Sequence, residues 1–255
     1  ALLEIRPYEL TPGAAEAACE ASVEDISNVI AANGDLLGAL RRVLERFEAI
    51  PIDRSEPKPI IGLVGEFYVR ANPFSNQNLI LQIEELGGEV WQAPIFEWFL
   101  YRNFRRDMRS RLDGNWSLML KNRLTDRVMR KDESQLTAVL HELLRNAEEP
   151  ATEAVLEMAS QYIHHSFEGE AVMTVGTAID FARKGLAGIV AAMPFTCMPG
   201  TIANAVLKRA RVDQDSIPFL NMVYDGLEQS TALTRLEAFM HQAREFARRR
   251  APAAG

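Results

Sequence analysis

Apolar residues recur along this chain with two periods, and the alternation between them lays out the elements. Ile60 to Phe67 (IIGLVGEF) and Gly188 to Met193 (GIVAAM) are short apolar runs with the β-branched content of buried parallel strands. Glu89 to Ala93 (EVWQA) and Ile217 to Tyr224 (IPFLNMVY) read as two further strands. Helical spacing follows each of three strands: Leu79, Ile83 and Leu86; then Ile202, Val206 and Ala210; then Leu233, Leu236, Met240 and Ala243. Val172, Val175, Ile179, Ala182 and Leu186 predict a helix over Glu170 to Lys184 rather than a fifth strand. Strand–helix–strand order implies right-handed parallel crossovers. The expected fold class is therefore α/β, a small doubly wound (Rossmann-like) parallel sheet of about four strands in the order 2-1-3-4.

Two helical regions frame this sheet. Thr11 to Phe47 reads as two helices broken at Asn33-Gly34, with Pro12 near the first start and Asp35 capping the second. Leu36, Leu40, Val43, Leu44 and Phe47 share the apolar side of that second helix. IPIDRSEPKP, from Ile50 to Pro59, reads as a linker. The expected domains are a helical lead-in and linker over 1–57 and an α/β domain over 58–255, with a helical insertion at about 95–167. The insertion carries Arg102, Arg105, Arg106, Arg109 and Arg111, which could meet an anion and otherwise form a solvated helix face. The tail APAAG is expected to be disordered.

Composition changes the picture little. Hydrophobic residues at 47% and charged residues at 25% are ordinary for a globular protein. A net charge of −7 gives no general attraction to nucleic acid or to an anionic membrane, and no apolar run is long enough to span a bilayer. Two cysteines make no disulfide framework, so a reducing, cytoplasmic location is expected. A start at Ala1 reads as a piece cut from a longer protein or as a processed start. His164-His165 lacks a partner at zinc spacing and reads as exposed or capping.

Chemistry concentrates after the strands. The loop from Pro194 to Gly200 aims backbone N–H groups and a helix start at Cys197, with Pro199 and Gly200 shaping the turn. Cys19 sits among Ala18, Val23 and Ile26 and reads as packing, so Cys197 is expected to be the more reactive thiol. Glu66, Tyr68, Arg70, Asn72 and Asn76 place a carboxylate, a phenol, a cation and two amides on the loop after the first strand. Arg70 is the candidate contact for an acidic partner, while Asn72 and Asn76 could equally tie the turn and cap the helix. Asp225 and Gln229 follow the last strand. The 2-1-3-4 order brings these loops to one edge, so Glu66, Arg70, Cys197 and Asp225 are expected to line one cleft.

The segment MPFTCMPGTI, with VGEFYVRANPFSNQN upstream and YDGLEQSTALTRLEAF downstream, resembles the large CoA-substrate-specific enzyme activases, relatives of the 2-hydroxyacyl-CoA dehydratase and benzoyl-CoA reductase system. The resemblance covers most of the chain from Arg6 to Arg244. It implies a dehydratase-like region that supports iron-sulfur-dependent electron transfer to an acyl-CoA dehydratase or reductase. In the dehydratase relatives a 4Fe–4S cluster is held by three cysteines per subunit, and the resemblance maps one of these to Cys197. It maps no second, and such clusters take four ligands. Cys197 is thus a metal-ligand candidate in the full-length assembly, and no cluster is expected in this chain alone. The family's ATP-hydrolysing part is a separate actin-like domain; no Walker-type motif occurs here, so no ATPase activity is expected. The alternative is a catalytically silent α/β module that binds a partner protein or a CoA ester. Expected partners are the dehydratase or reductase, or the rest of the activase chain, with a CoA ester and a homodimer as further expectations.

Overall fold

The four apolar runs form one sheet. In the computed structural model, which describes residues 1–141, 143–145, 150–167, 169–226 and 231–250, the strands are β1 (Ile60–Gly65), β2 (Glu89–Gln92), β3 (Gly188–Pro194) and β4 (Phe219–Tyr224). All neighbours are parallel and the order is β2-β1-β3-β4. The fold is α/β, as the two periods predict. Eleven α-helices are described: α1 (Leu2–Ile5), α2 (Ala14–Ala31), α3 (Leu36–Glu48), α4 (Phe67–Ala71), α5 (Leu79–Glu85), α6 (Phe96–Leu112), α7 (Trp116–Leu140), α8 (Thr152–Ala159), α9 (Glu170–Arg183), α10 (Met198–Asp213) and α11 (Ala232–Arg250).

The described residues divide into two compact units, 1–57 with 99–149 and 58–98 with the residues from 150 on. This differs from the expected division, because the central helices of the insertion group with the lead-in rather than with the sheet. Helical periodicity shows that a segment has an apolar side but not what that side meets. The proline-rich stretch is also pinned rather than free: Glu9 bridges Ile52, and the Asp53 N–H donates to the Tyr8 carbonyl at 2.8 Å.

In the first unit Ile5, Ala15, Val43, Phe47 and Ile50 form a small core. The Asp35 carboxylate caps α3 at the Gly38 N–H, 3.0 Å away. Asp25 on α2 accepts two bonds from Arg42 and one from Arg46 on α3, and these guanidinium contacts hold its carboxyl well below the usual range. Cys19 is half-buried against this core.

In the second unit the sheet is covered on both faces, which is why its strands read as nearly continuous apolar runs. Ile61, Leu63, Val90, Val190 and Met222 pack against Leu79 and Ile83 of α5 and Leu236, Phe239 and Met240 of α11. On the other face, a side chain at Gly62 would run into Phe181 of α9. Each fully buried aliphatic contributes about 1.5–3 kcal/mol. α9 is buried at every position from Ala171 to Ala182.

Local differences from the sequence reading have simple causes. The stretch after β1 holds a one-turn helix, α4, because Glu66 caps it with its own carboxylate. Leu233 lies 49% exposed and Ala232 takes the inward position instead. On α10 Ala210 is buried as expected, with Ala203, Asn204 and Leu207 buried in place of Ile202 and Val206. The β3–β4 ladder runs on through Pro194, which the sequence reading assigned to the loop: it sits opposite Tyr224 and the Phe195 N–H donates to the Tyr224 carbonyl at 2.7 Å. The missing proline N–H costs no ladder bond toward β1, since that ladder stops at Gly65 opposite Ala192. His164 and His165 lie outside any helix, and their rings are tilted against each other with centroids 4.1 Å apart.

Candidate functional site

Parallel strands deliver the loops after β1, β3 and β4 to one edge of the sheet, and short bonds hold their exits together. The Glu66 N–H donates to the Ala192 carbonyl at 2.9 Å. Gly65 permits this approach: its φ is +110°, and a Cβ there would collide with the Ala192 backbone. The β1 and β3 exits flank the point where the chain reverses its winding, the usual ligand position in such sheets.

A groove of about 880 Å³ opens at this edge, with Glu66, Tyr68, Phe74, Gln77, Pro194 and Tyr224 among its walls. Phe74 is 94% exposed and Tyr68 56%. The Glu66 carboxylate accepts the Tyr68 N–H at 3.1 Å and the Val69 N–H at 2.8 Å, so it closes the first turn of α4. Burial pushes the Tyr224 phenol up, against the opposing charge of Arg235, and it stays a neutral hydroxyl. The described lining residues carry aromatic rings and amides but no lysine or arginine.

Arg70 is directed elsewhere. Only 6% exposed, it donates to the Gly65 carbonyl at 2.7 Å and the Pro94 carbonyl at 3.2 Å, and its Nε has no partner. It enters a separate cavity of about 20 Å³, room for one or two waters, shared with Glu97, Trp98, Glu170 and Thr177. Burial lowers the Arg70 guanidinium from its ordinary value, opposed by Glu97, Glu170 and Glu66. Burial raises the Glu97 carboxyl, countered by the Thr177 hydroxyl donating at 2.7 Å and by Arg70. Burial also raises Glu170, reinforced by Glu66 and opposed by the Phe67 N–H and Arg70. The expected single cleft is therefore two: Glu66 and Tyr68 face the open groove, and Arg70 occupies the closed cavity.

The remaining candidates divide between structural and surface positions. Asn76, 2% exposed, donates to the Val69 and Arg70 carbonyls at 2.8 and 3.2 Å and accepts the Leu79 N–H at 3.2 Å. Asn72 accepts the Ser75 N–H at 3.1 Å and donates to the Tyr68 hydroxyl at 2.9 Å. Both tie the turn. Asp225 is exposed beside Gly226, which lines the groove; Gln229 lies outside the described residues. Glu97, Glu170 and Thr177 were not among the candidates. Glu97 follows β2, so the strand-end rule applied to all four strands points to it.

Cys197, Pro199 and Gly200 lie at the start of α10, on the same edge but not among the described groove walls. The Cys197 sulfur accepts the Gly200 N–H at 3.4 Å as the helix cap. The preceding Thr196 has φ +65°, a strained value for a β-branched residue, and the turn leaves Phe195 and Met198 each 65% exposed. Cys197 is the single thiol of its unit, since Cys19 belongs to the other and burial pushes that thiol up. A 4Fe–4S cluster takes four ligands, so this donor set does not fit one. Among the described residues no three His, Cys, Asp or Glu side chains gather as a metal site. No described helix is long and apolar enough to cross a membrane.

Comparison of the chain with protein-family models, with curated proteins and with solved structures finds no match.

Proposed function

We propose that this chain is a dehydratase-like domain of a large CoA-substrate-specific activase and that it acts by recognition rather than by its own chemistry. Its carboxyl-edge groove receives a peptide segment of a partner protein, the acyl-CoA dehydratase or reductase or the rest of the activase chain. The observation that carries this reading is the groove at the switch point, walled by exposed Tyr68 and Phe74 and by amides. Exposed rings supply contact area at low entropic cost, and amides match a peptide backbone. A CoA ester fits less well, because its phosphates meet the Glu66 carboxylate and no cation among the described lining residues. Electron transfer through a cluster rests on the resemblance of Cys197 alone and requires thiolates from elsewhere.

Titration with the purified dehydratase or reductase tests the reading. Phe74→Ser and Tyr68→Ala are expected to weaken binding about tenfold each while leaving thermal stability unchanged. Tight binding of a CoA ester that Phe74→Ser abolishes would replace the peptide by the ester. Iron and acid-labile sulfide assays after anaerobic purification are expected to find no stoichiometric iron. A brown, cluster-containing monomer would defeat the recognition reading and favour electron transfer.

A further inference from the structure

α7 has 25 residues and none of them is buried. Its exposed face is nonetheless apolar at regular steps: Trp116 is 75% exposed, Leu120 69%, Leu124 62% and Val128 51%. Steps of four residues keep these side chains in one row about 18 Å long. Arg127 and Lys131 share that face by the same helical geometry, Lys121 and Asp132 border it, and Arg123 pairs with Asp107 of α6 at 3.5 Å. Asp126 turns to the other side, where Arg130 holds it at 2.8 Å. Residues 99–133 hold ten Lys and Arg against five Asp and Glu, within a chain of net charge −7. The cluster Arg102 to Arg111 belongs to α6, so the cations beside the apolar row are a second set, on α7.

We propose that this face of α7 docks an acidic amphipathic helix of a partner protein, with apolar side chains seated on the Trp116–Val128 row and carboxylates meeting Arg127 and Lys131. The charges decide the occupant. A second copy packed row against row brings its own Arg127 and Lys131 to the contact, whereas an acidic helix brings carboxylates there. A bilayer suits a broad apolar face and basic rim, whereas this row is one residue wide and the rest of the chain is acidic. Helix-in-groove recognition uses apolar anchors at this spacing. The inference concerns the helical unit and does not depend on the function proposed for the sheet edge.

The test uses the full chain and a fluorescent helical peptide of about 18 residues, with Leu at every fourth position flanked by Glu. Anisotropy is expected to show saturable binding that weakens with added salt. The paired change Leu120→Glu with Leu124→Glu, and separately Arg127→Glu with Lys131→Glu, are each expected to weaken it about tenfold or more. These positions are exposed, so circular dichroism should show unchanged helix content; Leu124→Ser serves as a gentler second variant. Equal binding of a matched peptide with Lys in place of Glu overturns the proposal, as does binding that none of the variants weakens. Preferential sedimentation with phosphatidylserine vesicles, preferential binding of duplex DNA, or a dimer dissolved by Leu120→Glu also overturns it, by giving the face to another occupant.

Discussion

Helices α7 and α9 carry the same period in the sequence and end at opposite depths. α9, Glu170–Arg183, is buried at every position from Ala171 to Ala182, whereas α7, Trp116–Leu140, buries none. The difference lies in how much of the circumference is apolar. Ala171, Val172, Met173, Val175, Ala178, Ile179 and Phe181 surround α9, so no side is suited to water. Its polar positions are answered locally: Thr177 donates to Glu97, and Asp180 pairs with Lys184 at 2.9 Å. α7 half-buries one side, where Leu140 meets the core of its unit, and leaves the Trp116–Val128 row among charges in solvent. Period identifies a helix; apolar breadth sets its depth.

The largest effect that would break this contrast belongs to Gly176 of α9. A Cβ there would collide with the Val155 carbonyl of α8, and a backbone atom cannot swing aside. Gly176→Val is expected to cost about 3 kcal/mol or more in urea unfolding. A loss under about 1 kcal/mol would mean that α8 and α9 are looser than drawn.

A matched pair sharpens the comparison next. Ile179→Ala on α9 should cost about 2–4 kcal/mol, because Ile179 is 1% exposed and the vacated space has little room to close. Leu124→Ser on α7 should stay within about 0.5 kcal/mol. Equal costs would show that the α7 face is packed in the native molecule.

Arg70→Met probes the polar environment beside α9. It leaves the Gly65 and Pro94 carbonyls without their donor and removes the positive charge near Glu97 and Glu170. The expected cost is about 1–3 kcal/mol, read from the same unfolding curves. An unchanged midpoint would show that water already satisfies those groups.

The smallest expected effect is a slope. Burial raises the Glu97 carboxyl in the folded chain, so the unfolded chain releases its proton first as pH rises. The folded state then binds more protons, and Glu97's contribution to stability falls from the ordinary carboxylate range upward. Glu97→Gln should therefore flatten the decline in urea midpoint between about pH 4 and 8 and raise stability at the upper end. A steeper decline in the variant would reverse the sign and refute the burial argument.

The site was less legible than the fold. Tyr68 and Arg70 stand two apart, and in a stretch read as loop their directions are open. On the short helix α4, residues two apart point to nearly opposite sides, which sends Tyr68 to the groove and Arg70 beneath it. Asn76 looked like a ligand candidate because it is polar and near the switch point, yet its amide is consumed by the Val69 and Arg70 carbonyls. Glu97 and Glu170 lie far from Arg70 in sequence, and only the packing of α4, α6 and α9 brings their charges near it.

By itself the sequence located the strands and their parallel sense, because short apolar runs with helical crossovers admit few arrangements; their order and the shared loop edge followed only by supposing the usual doubly wound pattern. It also determined where α3, α5 and α9 lie, through period and, for α3, the Asp35 cap. Tertiary structure decided which unit claims residues 99–149, which side chains of α4 face outward, and that the apolar row of α7 is left exposed. Local patterns report what a segment prefers to bury. Only the placement of every other segment settles whether a partner for that surface is present.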